Sequence, residues 1–171
     1  MQDWGKAYQI ASYQSGLRSL GLELGEADLS TCVEAFKRSV LSGFRAYDDV
    51  EPVLTVLAQS FRLGIVTNGA GDLQRAKLEA MGIGRFFEVI VASTDADVGK
   101  PHPRVFTLAL EGLSVEASHA LMIGDSVSRD IDGARAAGID AIWLDRGDEA
   151  WPLSDAEVTP RVRRRPPAYA P

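Results

Sequence analysis

From Leu63 onward the chain alternates between short apolar runs and longer segments with helical periodicity, and this alternation constrains its fold more than any other feature. The runs lack polar residues at alternate positions, as expected of strands that are buried on both faces. Strands of this kind, when helices separate them, form parallel sheets with right-handed crossovers. The sequence therefore predicts an α/β core with strands at residues 63–66, 89–92, 120–123 and 141–144.

The residues before this core show helical spacing without a strand pattern. Gly43 is suited to end the second of two predicted helices, and Asp28 or Ser30 is suited to cap its start. Asp48 or Asp49 is predicted to cap a third helix. The residues of this third helix that are predicted to face inward are Val50, Val53, Leu54 and Leu57.

Composition divides the chain into three predicted parts. Residues 1–45 are expected to form a small helical segment, and residues 46–148 are expected to form the α/β core. Residues 149–171 are rich in proline and arginine, which predicts a disordered, solvated tail.

Charge and residue types narrow the classes of function. A net charge of −6 argues against general nucleic-acid binding, and no apolar run is long enough to predict a membrane span. Cys32 is the only cysteine, so no disulfide can form within the chain, which favours a cytoplasmic location. We expect Cys32 to be a buried, inert thiol. With His102 and His119 as the only histidines, a zinc cluster is also excluded.

In a parallel α/β sheet, ligands bind beyond the carboxyl ends of the strands. The first such loop contains Thr67, Asn68 and Gly69, whose hydroxyl, amide and backbone groups can hold phosphate oxygens. A plain Asn-Gly turn would show the same residues. After the second strand, Lys100 stands between a glycine and a proline and can present a point charge to phosphate, although a surface lysine would look similar.

The loop after the third strand, residues 124–130, carries the most specific pattern. Asp125 stands at the strand tip, where its carboxylate can bind a hard cation such as Mg²⁺. Asp130 begins the following helix and can either cap it or reach a metal through water. Helix capping alone does not account for a second carboxylate at the strand tip.

Taken in order, these motifs resemble the haloacid dehalogenase-like hydrolase superfamily, in the branch with an early helical cap. Residues 65–69 are similar to its second motif, residues 99–101 to its third and residues 124–130 to its fourth, and residues 132–138 to its usual continuation. The resemblance covers roughly residues 44–146. It implies a Rossmann-like, three-layer parallel sheet that lacks its first strand, with a small helical cap.

The resemblance also implies a role for each motif residue. Thr67, Asn68, Gly69 and Lys100 would bind the phosphoryl group of a small phosphorylated metabolite. Thr67, Lys100 and Asp130 would serve catalysis, while Asp125 and Asp130 would hold Mg²⁺. The implied reaction is phosphomonoester hydrolysis through an aspartyl-phosphate intermediate. Arg129 departs from the family pattern, which often has asparagine there.

One family element is missing. The nucleophile belongs to an Asp-x-Asp-x-Thr motif before the cap, and residues 1–46 contain none. The pairs at residues 95–97 and 130–132 stand at the wrong places in the order and lack the following threonine. We therefore expect a truncated phosphatase that is inactive alone, with unpaired sheet edges that permit self-association. The alternatives are a non-catalytic binding module and a 2-haloacid dehalogenase, a metal-independent branch against which Asp125 argues.

Overall fold

The computed structural model describes residues 4–146 and 161–163. The chain divides into two compact units, residues 1–99 and 100–171, and each is described by itself. The predicted boundaries between helical segment, core and tail stay a prediction. Within the described residues no helix combines the length and apolar content that crossing a bilayer requires.

The first unit begins with three helices, α1 (Trp4–Ser19), α2 (Glu26–Gly43) and α3 (Val50–Leu57). Gly25, in an extended conformation, is the N-cap of α2, so the predicted caps Asp28 and Ser30 are wrong. Asp28 lies in the first turn of α2, where its negative charge interacts favourably with the helix dipole. Asp49 is the N-cap of α3, as the sequence predicts.

The rest of the first unit is a strand–helix–strand repeat. It comprises β1 (Gly64–Thr67), α4 (Gly71–Ala80), a 3₁₀ turn (Gly84–Phe86), β2 (Val89–Ala92) and the short α5 (Ser93–Ala96). The strands β1 and β2 pair in parallel, as predicted. The buried apolar side chains of this unit are Leu29, Val33, Ala70, Leu78, Ile83, Val91, Ala92 and Ala96.

The second unit repeats the same alternation. Its elements are α6 (Pro103–Leu113), a 3₁₀ turn (Ala117–His119), β3 (Leu121–Gly124), a π-helical turn (Val127–Ile131), α7 (Asp132–Ala136), β4 (Asp140–Asp145) and β5 (Arg161–Arg163). The described strands form one parallel sheet in the order β3-β4-β5. Its buried apolar side chains are Val105, Phe106, Ala109, Ile131, Ala134, Ile139, Ala141 and Trp143.

Three predictions of burial are wrong. On β3, the edge strand of its described sheet, Leu121 is 55% exposed and Ile123 is 49% exposed, and the two side chains share one face of the strand. On α3, Val53 is 49% exposed although its spacing predicted an inward position. Cys32 on α2 is exposed, although Leu29 and Val33 of the same helix are buried.

The strand β5 is an element that the sequence analysis did not predict. It lies within the segment expected to be a structureless tail and pairs in parallel with residues 143–145 of β4. The remainder of that tail, residues 149–160 and 164–171, lies outside the described residues.

Candidate active site

The Thr67 loop, residues 67–71, runs from the last residue of β1 to the first residue of α4 and is held by residues that follow β2. Because the two strands pair in parallel with Thr67 opposite Ala92, both segments leave the sheet at the same edge. The Gly69 N–H donates to Ser93 Oγ at 2.8 Å, and Ser93 Oγ donates to Gly69 O at 3.0 Å. One serine hydroxyl thus binds both polar backbone groups of the glycine.

Helix α4 holds the same loop from its other side. Gln74 Nε2 donates to Thr67 Oγ1 at 2.9 Å and to the backbone oxygen of Asn68 at 2.7 Å. The Gly71 N–H, at the start of α4, donates to Thr94 Oγ1 at 2.9 Å. Neutral hydrogen bonds therefore fix the loop along its length.

Two glycines permit the tight packing around Asn68. Gly69 has a φ of +127°, a conformation that side chains with a Cβ rarely adopt. A Cβ on Gly99 would lie 2.9 Å from Asn68 Oδ1, so the absence of a side chain lets the Gly99 backbone approach the amide. The first residue of the predicted third motif therefore packs directly on the second.

An ion pair supports the base of the Thr67 loop. The Arg75 guanidinium on α4 contacts both carboxylate oxygens of Asp95 (3.1 and 3.2 Å), and the Ala92 N–H donates to Asp95 Oδ2 at 2.8 Å. Partial burial alone would raise the pKa of Asp95, but the Arg75 and Ala92 hydrogen bonds outweigh it and hold that pKa below its ordinary value. Asp95, excluded above as a nucleophile, thus has a structural partner.

The Asp125 loop, residues 124–130, is organised around a buried carboxylate. The Ser126 N–H donates to Asp130 Oδ2 at 2.9 Å, and Lys100 Nζ lies 2.6 Å from Asp130 Oδ1. The side chains of Asp130 and Lys100 are 4% and 13% exposed, so this ion pair is largely removed from water. Both oxygens of Asp130 therefore interact with protein groups.

Close backbone approach makes this ion pair possible. A Cβ on Gly133 would lie 2.8 Å from the Phe106 ring and 2.9 Å from Pro101 Cα, so α7 can pack tightly against the segment that carries Lys100. A Cβ on Gly124 would collide with the Asp130 side chain. The glycines of this unit thus create the space that the Lys100–Asp130 pair occupies.

Asp125 differs from Asp130 because it is exposed. Its backbone oxygen accepts a hydrogen bond from Trp143 Nε1 at 2.9 Å, which ties the tip of β3 to the buried tryptophan of β4. Arg129, the departure from the family pattern, turns back so that its Nε donates to Ser126 Oγ at 3.1 Å. The loop therefore presents the Asp125 carboxylate to solvent on a backbone that is fixed on both sides.

His102 caps helix α6 and takes no other role in this geometry. Its Nδ1 accepts a hydrogen bond from the Arg104 N–H at 3.2 Å, and Pro103 occupies the first helical position.

The donor chemistry of the Asp125 loop suits Mg²⁺ better than a metal that needs a full protein cage. Within residues 4–146 and 161–163, no group of three or more His, Cys, Asp or Glu side chains comes together to hold a metal. Mg²⁺ commonly uses one or two carboxylates and keeps water and substrate oxygens as its other ligands. Asp125 can be such a ligand, and Asp130 contacts the Ser126 N–H and Lys100, so its predicted part in holding Mg²⁺ stays a prediction.

The predicted site residues fall into two clusters, one in each unit. Residues 67–69 form the first cluster, and Lys100 and Asp130 form the second, with Asp125 exposed at the adjacent strand end. Sequence reasoning missed Gln74 and Ser93, which hold the first cluster. Ser93 directly follows a predicted strand, and that position was the available signal. Gln74 carries no comparable signal.

Parallel strands followed by loops with phosphate-compatible donors and a cation-compatible carboxylate are typical of α/β proteins that bind phosphorylated ligands. The sequence model of the family described as haloacid dehalogenase-like hydrolase matches residues 7–144. The chain belongs to this family, and its HAD-type, Rossmann-like α/β fold confirms the predicted fold class.

Named relatives share substantial identity with this chain. It is 41% identical over 101 residues to a phosphoserine phosphatase of Thermus thermophilus, covering 59% of this chain and 39% of the relative. It is 33% identical over 145 residues to a glyceraldehyde 3-phosphate phosphatase of Methanopyrus kandleri, covering 83% of this chain and 62% of the relative. The chain therefore spans less than two thirds of either relative.

Solved structures extend the likeness in fold. The HAD-hydrolase YfnB of Bacillus subtilis, bound to magnesium, is 29% identical and has a TM-score of 0.69, covering 91% of this chain and 67% of that chain. A 2-haloacid dehalogenase of Pseudomonas syringae is 27% identical and has a TM-score of 0.73, covering 92% and 66%. Both a metal-bound hydrolase and a dehalogenase are thus similar in fold to this chain.

Proposed function

We propose that this chain is part of a cytoplasmic, magnesium-dependent phosphatase that acts on a small phosphomonoester. The observation that carries the proposal is the buried Lys100–Asp130 pair behind the exposed carboxylate of Asp125. A loop that fixes one carboxylate by burial and presents another to solvent suits Mg²⁺ and phosphate ligands. The phosphatase names of the two relatives support the same reaction class.

In this proposal each cluster has a distinct task. Thr67 and the backbone at Gly69 bind phosphoryl oxygens, with Asn68 beside them. Lys100 stabilises negative charge on the phosphoryl group, and Asp130 positions Lys100 and the Asp125 loop. A bound Mg²⁺, held by Asp125, would supply charge stabilisation to the phosphoryl oxygens.

The proposed reaction needs a nucleophile, which in the family pattern is an aspartate of the Asp-x-Asp-x-Thr motif. The residues of the two clusters do not include that aspartate. An aspartate carboxylate would attack phosphorus, the alcohol would leave, and water would then hydrolyse the aspartyl phosphate. We propose that this aspartate lies on an Asp-x-Asp-x-Thr segment outside the 171 residues. The chain alone is then inactive, and its activity depends on that segment.

The test compares the 171-residue chain with a longer protein that carries an Asp-x-Asp-x-Thr segment before residue 1. Hydrolysis of p-nitrophenyl phosphate is measured with Mg²⁺ and with EDTA. We expect turnover only in the longer protein with Mg²⁺, and loss of most of it in Asp125→Asn. Turnover by the chain alone would contradict the proposed location of the nucleophile, and an inactive longer protein would contradict the phosphatase itself.

The alternative function, 2-haloacid dehalogenation, is tested with the same longer protein. Chloride release from 2-chloropropionate in the presence of EDTA is the measurement, because that reaction needs no metal. We expect no release, since Asp125 provides a cation ligand that the reaction does not use. Metal-independent release together with inactivity toward the phosphate ester would replace the proposal.

A second candidate, a non-catalytic interaction module, is favoured by the edge strand β3. Leu121 and Ile123 expose apolar surface beside a strand edge that has no partner among the described residues. Such an edge can pair with the same edge of a second copy. Sedimentation velocity tests this: Ile123→Lys should abolish self-association, while Val56→Lys, an equally drastic change at an exposed position, should not. A monomeric chain at all concentrations would contradict the module.

A further inference from the structure

Gln74 is a polar side chain on α4 that has no part in the proposed reaction. Its amide nitrogen has two protons, and two acceptors lie within hydrogen-bond distance, Thr67 Oγ1 at 2.9 Å and Asn68 O at 2.7 Å. Because a backbone carbonyl can only accept, the amide group facing Asn68 O must be the NH₂ and not the oxygen. The orientation of the Gln74 amide is thereby fixed by its surroundings.

This orientation decides how the Thr67 hydroxyl can act. A hydroxyl has one proton to donate and two lone pairs that accept. Gln74 Nε2 donates to one lone pair, so the proton of Thr67 must point elsewhere. Within the described residues, its own acceptor is Asn68 O at 3.5 Å, which is the long limit of a hydrogen bond. The Thr67 proton therefore has only a long hydrogen bond to Asn68 O among the described residues.

We infer that Gln74 is a positioning residue that makes the Thr67 hydroxyl a hydrogen-bond donor toward a phosphoryl oxygen. The inference rests on the proposed function, in which the Thr67 loop binds the phosphoryl group. The Gln74 amide itself acts through Thr67 and does not need to touch the ligand. Ser93 fixes the loop backbone from the opposite side, so the hydroxyl is held in place as well as in direction.

Three substitutions at Gln74, which differ in hydrogen-bonding capacity, separate this role from simple packing. Gln74→Glu exchanges the donor for an acceptor, so the Thr67 proton turns toward the carboxylate and away from the ligand. Gln74→Leu removes the donor without offering an acceptor. Gln74→Lys keeps a donor within reach of both acceptors and should retain binding. Gln59→Glu, at an exposed position after α3, makes the same chemical change as a control.

Binding of inorganic phosphate to the full 171-residue chain is measured in the presence of Mg²⁺. The ³¹P line width of phosphate and titration calorimetry both report the affinity. At pH 7 we expect Gln74→Glu to weaken phosphate binding about tenfold, the size of one lost hydrogen bond that the ligand needs. Relative to the unaltered chain, this deficit should shrink as pH falls toward about 4.3, where glutamic acid regains a proton. An equal loss when Gln74→Glu is made in the Thr67→Val background would overturn the inference, because the added negative charge alone would then explain the deficit.

A second measurement keeps the inference separate from the proposed function. In ¹⁵N-labelled chain, the side-chain NH₂ signals of Gln74 should shift in Thr67→Val, which removes Oγ1 with little change of shape. Unmoved signals would overturn the inference. The unaltered chain could also fail to bind phosphate while the Gln74 signals still shift in Thr67→Val. That result would support the Gln74–Thr67 contact but contradict the proposed function and the role of Thr67 toward a ligand.

Discussion

The Thr67 loop and the Asp125 loop follow parallel strands in the same way, yet they are stabilised by different means. Neutral hydroxyl and amide groups of Ser93 and Gln74 hold the Thr67 loop. The Asp125 loop is built on a buried carboxylate, Asp130, whose oxygens bind a backbone N–H and an ammonium group. One loop therefore distributes its stability over several neutral contacts, and the other concentrates it in one charged residue.

This difference predicts how each loop responds to substitution. A neutral hydrogen bond contributes roughly 0.5–1.5 kcal/mol, so loss of one contact should weaken the Thr67 loop by a small step. Removing one partner from a buried ion pair leaves a charge without compensation and costs roughly 3–5 kcal/mol. We therefore expect the Asp125 loop to fail abruptly and the Thr67 loop to weaken gradually.

The largest effect is expected for Lys100→Met, which leaves the Asp130 carboxylate buried without its cation. We expect the free energy of unfolding of the second unit to fall by about 3 kcal/mol, because an uncompensated charge must then be desolvated. Urea unfolding followed by tryptophan fluorescence measures the change, since Trp143 is buried in that unit.

A double variant provides the control for Lys100→Met. In Lys100→Met with Asp130→Asn the buried charge is gone, while an amide oxygen can still accept from the Ser126 N–H. We expect this double variant to recover more than half of the lost stability. A single variant that loses less than about 1 kcal/mol would show that the pair is effectively solvated, and the contrast between the loops would disappear.

Substitution of one glycine in contact with each loop tests how much room there is for an added methyl group. Gly124→Ala places a methyl group against the Asp130 side chain, which cannot move without breaking the ion pair, and should cost about 2 kcal/mol. Gly99→Ala meets the end of the Asn68 side chain and not a buried ion pair, so its cost should be smaller. Gly16→Ala, in a helix with open space around it, should stabilise the chain. Thermal unfolding measures all three, and equal losses for Gly124→Ala and Gly99→Ala would contradict the contrast.

Ser93→Ala tests the gradual response of the Thr67 loop. Loss of both hydrogen bonds to Gly69 should lower the free energy of unfolding of the first unit by about 1 kcal/mol, because the exposed loop backbone can bond to water instead. Ser118→Ala, at an exposed position, should change nothing. Amide hydrogen exchange at Gly69 provides the local measurement, with faster exchange expected in Ser93→Ala alone.

Sequence alone could locate the strand-end residues of both loops but could not say how they are held. Thr67, Lys100 and Asp125 follow strands that apolar runs mark clearly, so their positions could be predicted. Gln74 lies on a helix whose contact with Thr67 depends on the three-dimensional path of the loop. Which of two aspartates is buried depends on Lys100, a residue distant in sequence that packing brings to Asp130.

The exposure of the β3 side chains could not be predicted from sequence either, because it too depends on contacts between elements. An apolar run predicts a strand, but it does not reveal whether the strand is central or at an edge. Leu121 and Ile123 have the residue types of a buried strand, and only the structure shows that their side chains are exposed and that β3 is an edge strand of the described sheet. Local pattern therefore predicted the element, while neighbour relations decided its environment.

The smallest predicted effect concerns Asp95, the charged exception beneath the Thr67 loop. Its folded-state pKa is lowered by Arg75 and the Ala92 N–H against the opposing effect of burial, so ionised Asp95 stabilises the fold. That contribution is present above the unfolded pKa of about 3.9 and is lost as pH falls through the lower folded value. Because the pair is partly exposed, we expect Asp95→Asn to cost less than about 1 kcal/mol at pH 7. The difference between the two proteins should vanish in acid, and a difference that persists at the lowest pH would assign the effect to the hydrogen bond from the Ala92 N–H instead of the charge.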